Sequence, residues 1–270
     1  MTAIALTIAG SDSSAGAGIQ ADLKTFAALG VYGACVITAL TAQNTRGVTG
    51  ILDVPADFIA AQIDAVFSDL AVGAVKIGML SRASAIEGIA RALVRHKASN
   101  IVLDPVMVAS SGDRLLAPEA VGALRRMLIP RALLVTPNLP EAAALLDAPQ
   151  AQDEMQMQEQ GRRLLALGAR AVLIKGGHGA GAESVDFLIT PDAVVRLAAA
   201  RIATAGVHGT GCTLSSAIAA GLAKGLVLED AVRDAKTYVT GAISAAASED
   251  FKVGHGRGPV HHFYREWSKT

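Results

Sequence analysis

The chain is poor in cysteine and aromatic residues and carries no net charge. Its 270 residues include two cysteines, Cys35 and Cys212, and only 4% aromatic side chains. Two cysteines are too few for a disulfide framework or a cysteine-rich metal site, which favours a reducing, cytoplasmic location. Lysine plus arginine and aspartate plus glutamate number 24 each. With no overall field to hold a polyanion or a membrane surface, we expect no nucleic-acid or membrane partner.

Long uninterrupted apolar runs are also missing. Residues 25–45 and 202–223 are uncharged, but glycines and Gln43, Asn44 or His208 interrupt them. We interpret both stretches as buried parts of a globular fold rather than membrane helices. Residues 1–10 are apolar, yet no basic residue precedes the apolar run and no cleavage pattern follows, so we do not expect a signal peptide.

Short apolar runs alternate with longer helical patterns along the chain. The predicted strands are 4–9, 34–40, 74–77, 101–103, 133–135, 171–174, 184–189 and 193–197, and the predicted helices are 19–29, 56–70, 83–95, 118–128, 140–146, 154–167, 213–223 and 228–246. Near-continuous Val/Ile/Leu strands are typical of a parallel sheet covered on both faces. The order predicts an α/β protein, with three α/β/α layers in one domain spanning residues 1–270. The last two strands, joined around Pro191-Asp192, read as an edge hairpin.

Polar or glycine-rich clusters follow six successive predicted strands. They are Gly10–Gly18, Thr41–Thr45, Lys76–Leu80, Asp104–Met107, Thr136–Glu141 and Lys175–His178. Each alone is ordinary turn chemistry. Because ligands in open α/β sheets bind beyond the carboxyl ends of the strands, six such ends together predict a binding site there.

Two common nucleotide motifs are not supported. Lys24-Thr25 follows Leu23 rather than the glycine that a Walker A loop requires. Residues 16–21 match a relaxed dinucleotide fingerprint, but they lie about six residues beyond the strand, and no acidic residue ends the second strand to hold a ribose.

A Gly-Thr-Gly turn at residues 209–211 leads into a small-residue helix. Glycine at Gly209 and Gly211 lets successive backbone N–H groups converge, and the helix start adds unpaired donors and the positive end of the dipole. This predicts an anion site, in which the field of the helix end favours the thiolate of Cys212. The alternative is a glycine-rich helix start with a structural cysteine.

The motifs together resemble those of the hydroxymethylpyrimidine/phosphomethylpyrimidine kinase family of the ribokinase superfamily. The resemblance rests on residues 10–26, 41–47, 76–80, 104–107, 136–141, 175–178, 208–212 and 253–263. It implies a ribokinase-like fold and a homodimer. It also implies two successive phosphorylations of 4-amino-5-hydroxymethyl-2-methylpyrimidine by ATP with Mg²⁺, a step in thiamine biosynthesis.

The resemblance also implies roles for the nucleotide side of the site. Cys212 would be the general base, where most ribokinase relatives carry aspartate, and the backbone of Gly209, Thr210 and Gly211 would stabilise the transferred phosphoryl group. Lys175 would neutralise the ATP phosphates. Asn138 and Glu141 resemble the Asn-x-x-Glu motif that positions ATP and Mg²⁺, although helix capping is a competing role. Asp104 would share the Mg²⁺ shell, or would only initiate a turn.

On the substrate side, the resemblance makes Gln43 the residue that holds the pyrimidine, since its amide offers both a donor and an acceptor. Met79 and Val106 would form an apolar wall beside Gly10, and Asp22 would contact the hydroxymethyl group or ring; core packing and a first-turn helix charge are the respective alternatives. Residues 109–118 resemble a flap. Ala15 stands where many family members have glycine, so a positive φ there would strain the loop.

Three other functions stay open. A pyridoxal kinase uses the same scaffold on another hydroxymethyl-bearing heteroaromatic ring. A regulatory module without catalysis is disfavoured because Cys212, Lys175 and Glu141 are all present. A thiol hydrolase would need a histidine activating Cys212. His208 is near in sequence, but no third, orienting group is apparent.

Overall fold

The computed structural model describes residues 2–108, 112, 115–177, 181–204, 207–248 and 250–267. Nine strands form one sheet in the order β3-β2-β1-β4-β5-β6-β7-β8-β9. Their bounds are β1 Ile4–Asp12, β2 Tyr32–Asn44, β3 Gly47–Asp53, β4 Ala74–Ile77, β5 Ile101–Leu103, β6 Leu134–Val135, β7 Val172–Lys175, β8 Glu183–Ile189 and β9 Val194–Ala200. Strands β2, β1, β4, β5, β6 and β7 run parallel, and β3, β8 and β9 are antiparallel to their neighbours.

Helices cover both faces of this sheet. They are α1 Gly18–Ala28, α2 Ala56–Phe67, α3 Ala83–Arg95, α4 Pro118–Ala123, α5 Leu139–Leu146, α6 Glu154–Leu165, α7 Thr210–Ala223 and α8 Leu228–Ala246. A π-helical turn, Leu124–Leu128, and a 3-10 turn, Ile129–Arg131, continue α4. One core joins the sheet to α2 through α6, and a second joins its other face to α1, α7 and α8. The alternation of strand side chains creates this division: Val75 and Ile77 face the first core, whereas Ala74 faces the second.

The predicted elements are present, with the parallel centre and the late edge hairpin β8–β9 as expected. Strand β3 was not predicted. It pairs with β2 across the two-residue turn Thr45-Arg46, and most of its residues are exposed. A strand with little buried surface shows no apolar run, so the turn was the only signal for it.

The sheet order reverses at β1, which lies between β2 and β4. Ligands bind at such a switch point, outside the carboxyl ends of the strands. The loop after β1 and the start of α7 therefore lie where a ligand is expected. In the described parts of the chain no helix is long and apolar enough to cross a membrane. Residues 109–111 and 113–114 of the expected flap lie outside the described residues.

The loop after β1 contains the positive φ angle that we expected to strain the backbone at Ala15. Ala15 has φ of 62°, and its N–H donates to the carbonyl of Asp12 at 2.9 Å. An alanine in the left-handed region costs about 1–2 kcal/mol relative to the right-handed one. The loop keeps this conformation because Asp12 binds the backbone on both sides of Ala15, at Ser14 and Gly16.

Candidate active site

A cavity of about 1230 Å³ opens at the carboxyl ends of the parallel strands. Twelve of the thirteen residues that the sequence assigns to the site line it: Gly10, Gln43, Met79, Asp104, Val106, Asn138, Glu141, Lys175, Gly209, Thr210, Gly211 and Cys212. The exception is Asp22. The six strand ends therefore converge as the sequence predicted.

The start of α7 is pressed against the loop after β1. Gly209 precedes the helix with φ of 80°, and a Cβ there would lie 1.9 Å from the carbonyl oxygen of Gly16. A Cβ on Gly211 would lie 3.3 Å from Lys175 Nζ. No larger residue fits at Gly209, and the first residues of α7 line the cavity beside the ammonium group of Lys175. Unpaired donors and a cation at a helix start make an anion site.

Cys212 lies in the first turn of α7, but its thiol is not activated as the sequence suggested. Desolvation by the surrounding protein raises the pKa of Cys212 to about 11, while the Lys76 ammonium and the backbone N–H of Gly18 lower it only in part. The expected thiolate is therefore not the resting form, because the cost of desolvating the charged sulfur exceeds the stabilisation by Lys76 and Gly18. Cys212 is a neutral thiol at pH 7.

Lys175 sits between two carboxylates at the end of β7. Its Nζ lies 2.8 Å from Asp104 Oδ1 and 4.0 Å from Glu141 Oε2. Burial raises the pKa of Asp104, but Lys175, Lys76 and a hydrogen bond from Thr136 outweigh it and keep that pKa below its usual value. Burial raises the pKa of Glu141 to about 7, with Lys175 opposing and Asp104 adding to the shift. The cluster holds two acidic groups for one lysine, so a further cation would be favoured there.

Asn138 and Glu141 cap α5, as the competing interpretation held. Asn138 Oδ1 accepts from Glu141 N at 2.9 Å, and Glu141 Oε2 accepts from Asn138 N at 2.8 Å. Asp104 is similarly occupied, since Thr136, Lys175 and Ser215 all donate to it. Among the described residues no group of three or more His, Cys, Asp or Glu could hold a metal ion. Asp104 and Glu141 already accept hydrogen bonds from protein donors, so they suit a cation that they contact through water. Mg²⁺ is such a cation, because it keeps several of its waters and binds chiefly to phosphates.

Asp22 lies below the cavity floor rather than in it, which corrects the expected substrate contact. Its side chain is fully buried in α1 and forms an ion pair with Lys76 at 2.8 Å. Thr7 and Ser216 also donate to its carboxylate, at 2.6 and 2.7 Å. Four hydrogen bonds to two oxygens satisfy the carboxylate within the protein. The sequence shows that Asp22 is near the helix start but not which face of α1 it occupies.

Lys76 is a functional candidate that the sequence did not assign a role. It is fully buried on the face of β4 that packs against α1 and α7. Burial lowers its pKa, but Asp22, Cys212 and Asp104 raise it well above the usual value, so Lys76 stays charged. Ser216 lies four residues after Cys212, on the same face of α7, and holds the same Asp22. The ion pair therefore places a fixed positive charge beneath the base candidate.

The substrate side of the cavity combines the apolar Met79 and Val106 with the amide of Gln43 and its polar neighbours. A Cβ on Gly10 would lie 2.9 Å from Met79 Sδ, so the missing side chain leaves room for Met79. Gln43 comes from β2 and contacts His208 and Thr41. The cavity residues that the sequence did not assign to the site include the buried Asp12 and its partner His208, at 2.9 Å. The sequence did not reveal the Asp12–His208 pair, because the two residues are 196 positions apart.

Replacing the buried ion pair tests how strongly the cavity floor depends on it. Asp22→Asn leaves the Lys76 ammonium without a counter-charge and should lower the free energy of unfolding by about 3–5 kcal/mol. Lys76→Met strands the carboxylate and should cost a similar amount. The double variant should lose much less than the sum, as measured by urea unfolding. The exposed Glu229–Arg233 pair is the control and should couple by no more than about 0.5 kcal/mol. Additive losses at Asp22 and Lys76 would contradict the charge argument.

Comparison with known proteins agrees with this geometry. The family model for phosphomethylpyrimidine kinase matches residues 12–261. A hydroxymethylpyrimidine/phosphomethylpyrimidine kinase of Rhizobium meliloti (strain 1021) is 61% identical over 267 residues, which cover 99% of both chains.

Two solved structures are similar across most of the chain. Phosphomethylpyrimidine kinase from Clostridium difficile 630 has a TM-score of 0.79 at 46% identity, covering 89% of this chain and 99% of that one. The ADP complex of Bacillus subtilis pyridoxal kinase has a TM-score of 0.88 at 37% identity, covering 97% and 98%. These neighbours confirm the ribokinase-like fold. The chain belongs to the phosphomethylpyrimidine kinase family.

Proposed function

We propose that the chain phosphorylates 4-amino-5-hydroxymethyl-2-methylpyrimidine with ATP, first to the monophosphate and then to the diphosphate, in thiamine biosynthesis. One observation carries the proposal: within a chain of this family, Cys212 at the start of α7 shares a cavity with the Lys175–Asp104 pair and with Gln43. A proton acceptor, an anion site and an amide that matches an aminopyrimidine edge are the three parts the reaction needs.

ATP would lie with its phosphates between the start of α7 and the end of β7. Lys175 would meet the phosphates, and Thr210 and Gly211 would donate backbone N–H groups to the transferred phosphoryl. Asn138 would orient the nucleotide side of the cavity. Mg²⁺ bound with ATP supplies charge neutralisation of the β- and γ-phosphates. Asp104 and Glu141 would hold that ion through water, since their oxygens already accept hydrogen bonds from protein donors.

Two buried contacts and one exposed contact hold the nucleotide side in place. Asp186 Oδ1 accepts from the backbone N–H of Gly176 at 2.9 Å, directly after Lys175. Lys236 pairs with the same carboxylate at 2.7 Å. Arg201 donates to the carbonyl of Gly177 at 2.7 Å. The glycines that follow β7 are thus tied to β8, α8 and the end of β9, which keeps Lys175 aimed at the phosphates.

Cys212 would remove the proton from the hydroxymethyl group in the first step. The second acceptor is a phosphate that is already ionised near neutral pH, so it needs no base. Cys212→Ala should therefore slow the first step by about 10²–10⁴ and the second far less. Since the resting thiol has a pKa of about 11, its reactive form increases with pH. The first step should therefore accelerate between about pH 7 and 9 while the second does not.

Initial rates of the two steps, measured separately on the alcohol and on the monophosphate, test this role. In Cys212→Ala the rise of the first step with pH should disappear. Equal losses in both steps, or an unchanged pH profile, would remove the base from Cys212 and leave it a part in shaping the anion site. Cys35→Ala is the matched control because it removes the other free thiol of the chain.

We also propose that the chain forms a homodimer in the cytoplasm. Leu40 of β2 and Leu52 of β3 are directly paired across the edge of the sheet and are 44% and 67% exposed. Two exposed leucines side by side on an edge hairpin favour contact with another protein surface. The free thiols of Cys35 and Cys212 suit a reducing compartment.

Sedimentation equilibrium should give a mass twice that of the chain, and Leu52→Lys should shift the measured mass to that of the monomer. A monomeric parent chain would contradict the dimer.

The substrate is tested by offering the purified protein ATP and Mg²⁺ with either the hydroxymethylpyrimidine or pyridoxal, and by reading the phosphate count of each product by mass. Pyridoxal is the competing substrate because the chain is similar to a pyridoxal kinase over 97% of its length. Mono- and diphosphate from the pyrimidine, with little pyridoxal turnover, are expected. Pyridoxal phosphate as the main product, without pyrimidine diphosphate, would assign the chain to vitamin B6 salvage.

A further inference from the structure

The backbone of Gln43 is fixed before its side chain meets any ligand. Ser13 Oγ lies 2.7 Å from the carbonyl oxygen of Gln43 and 2.9 Å from its backbone nitrogen, so the loop after β1 holds this residue from both sides. The side chain reaches the cavity between Thr41 and His208. A 180° rotation of the terminal carboxamide exchanges its oxygen with its nitrogen while the rest of the side chain stays in place.

The neighbour on one side, His208, must donate a proton from Nε2. Asp12 accepts at both oxygens from the backbone N–H groups of Ser14, Gly16 and Ala17 and from the hydroxyl of Ser14. Burial raises the pKa of this carboxylate, but His208 and Ser14 together bring it to about 2, so it only accepts. His208 Nε2 lies 2.9 Å from Asp12 Oδ2. That contact requires a proton on Nε2, whether the imidazole is neutral or charged.

The neighbour on the other side, Thr41, has one hydroxyl proton and two acceptors within reach. Thr41 Oγ1 lies 2.9 Å from the backbone carbonyl oxygen of Ser11 and 3.0 Å from Gln43 Oε1. Because the carbonyl of Ser11 can only accept, Thr41 can serve both neighbours at once only if it donates to Ser11 and accepts from Gln43.

In the structure, Gln43 Nε2 lies 3.0 Å from His208 Nε2, and Gln43 Oε1 lies 3.0 Å from Thr41 Oγ1. This arrangement sets the amide N–H group against the Nε2–H of His208, and it leaves Thr41 one proton for two acceptors, Ser11 and Gln43. Rotating the carboxamide by 180° exchanges its oxygen and nitrogen. The Nε2–H of His208 can then be shared between Asp12 and the amide oxygen, while Thr41 donates to Ser11 and accepts from the amide nitrogen.

We propose that Asp12–His208 on one side and Ser11–Thr41 on the other lock the Gln43 carboxamide with its oxygen towards His208 and its nitrogen towards Thr41, and that this orientation selects an aminopyrimidine edge. The inference about selection rests on the proposed function. Asp12, His208 and Thr41 are then positioning residues for substrate choice.

The locked orientation also determines which way round the ring binds. The outer edge of the amide presents an acceptor on the His208 side and a donor on the Thr41 side. A 4-aminopyrimidine matches it with its amino group towards His208 and its ring nitrogen N3 towards Thr41. In 4-amino-5-hydroxymethyl-2-methylpyrimidine the hydroxymethyl group is next to the amino group and away from N3. It would therefore point past His208 towards Gly209–Cys212, whereas the opposite amide orientation would turn it away.

A substrate lacking the 4-amino group, 5-hydroxymethyl-2-methylpyrimidine, isolates the contact with the amide oxygen. With the parent protein, this analogue should lose about tenfold in kcat/KM for the first phosphorylation, the usual effect of one hydrogen bond. Thr41→Val removes the acceptor that holds the amide nitrogen. It should raise KM for the aminopyrimidine about tenfold, leave KM for ATP unchanged, and reduce the penalty for the missing amino group to about twofold.

Two further variants separate orientation from folding. Thr41→Ser keeps the hydroxyl and should restore the parent values. Thr49→Val makes the same change on β3, where the hydroxyl lies 3.0 Å from the carbonyl of Ala42, next to Gln43, and it should leave the amino-group penalty at tenfold. An undiminished penalty in Thr41→Val, or the same reduction in Thr49→Val, would overturn the lock.

The proton position can be read without turnover. A long-range ¹H–¹⁵N NMR spectrum of the parent protein near pH 7 should show His208 Nε2 protonated. A bare Nε2 would overturn the proposal even if the Thr41 variants fail to fold. If Nε2 is protonated but the parent protein phosphorylates no pyrimidine, the proposed function is wrong, and so is the selection of the substrate by the amide. The orientation of the amide would still be supported by that result.

Discussion

The close approach of two glycine-containing loops is the contact on which the site depends. A Cβ on Gly209 would fall 1.9 Å from the carbonyl of Gly16, and a Cβ on Gly16 would fall 2.4 Å from the ring of His208. The loop after β1 and the start of α7 can meet only because neither position has a side chain. Their contact brings Asp12 to His208 and places Gly18, the first residue of α1, beside the thiol of Cys212.

Two lysines near this contact serve different purposes because their surroundings differ. Lys76 is buried beneath α7, where it forms an ion pair with Asp22 and no solvent reaches it. Lys175 lies at the cavity wall with part of its side chain exposed, and its partner Asp104 also accepts from Thr136 and Ser215. A sealed charge acts on Cys212 at a fixed distance. A charge at the wall can exchange a carboxylate for a phosphate when nucleotide enters, since both are oxyanions of similar reach.

The sequence was sufficient for the parallel centre of the sheet, for the layer order and for most of the residues that gather at the strand ends. These follow from hydrophobic periodicity and from the geometry of parallel strands. The sequence did not predict features that depend on how deeply a side chain is buried or on contacts between residues far apart in the chain. Asp22 and Lys76 are 54 positions apart, so nothing local shows that they form a buried pair. Strand β3 buries too little surface to leave a pattern. The pKa of Cys212 depends on how much water the folded chain removes, which spacing along the chain cannot reveal.

The raised pKa of Cys212 has a benefit as well as a cost. A thiol with a pKa of about 11 provides few thiolates at neutral pH, so the base proposed at Cys212 is scarce in the resting protein. Alkylation and oxidation also proceed through the thiolate, and the same desolvation that makes the thiolate scarce protects the sulfur from both. Lys76 limits the rise in the pKa of Cys212, because its buried positive charge favours the thiolate without admitting water to the site. At Cys212, burial and a sealed cation thus act on the thiol in opposite directions.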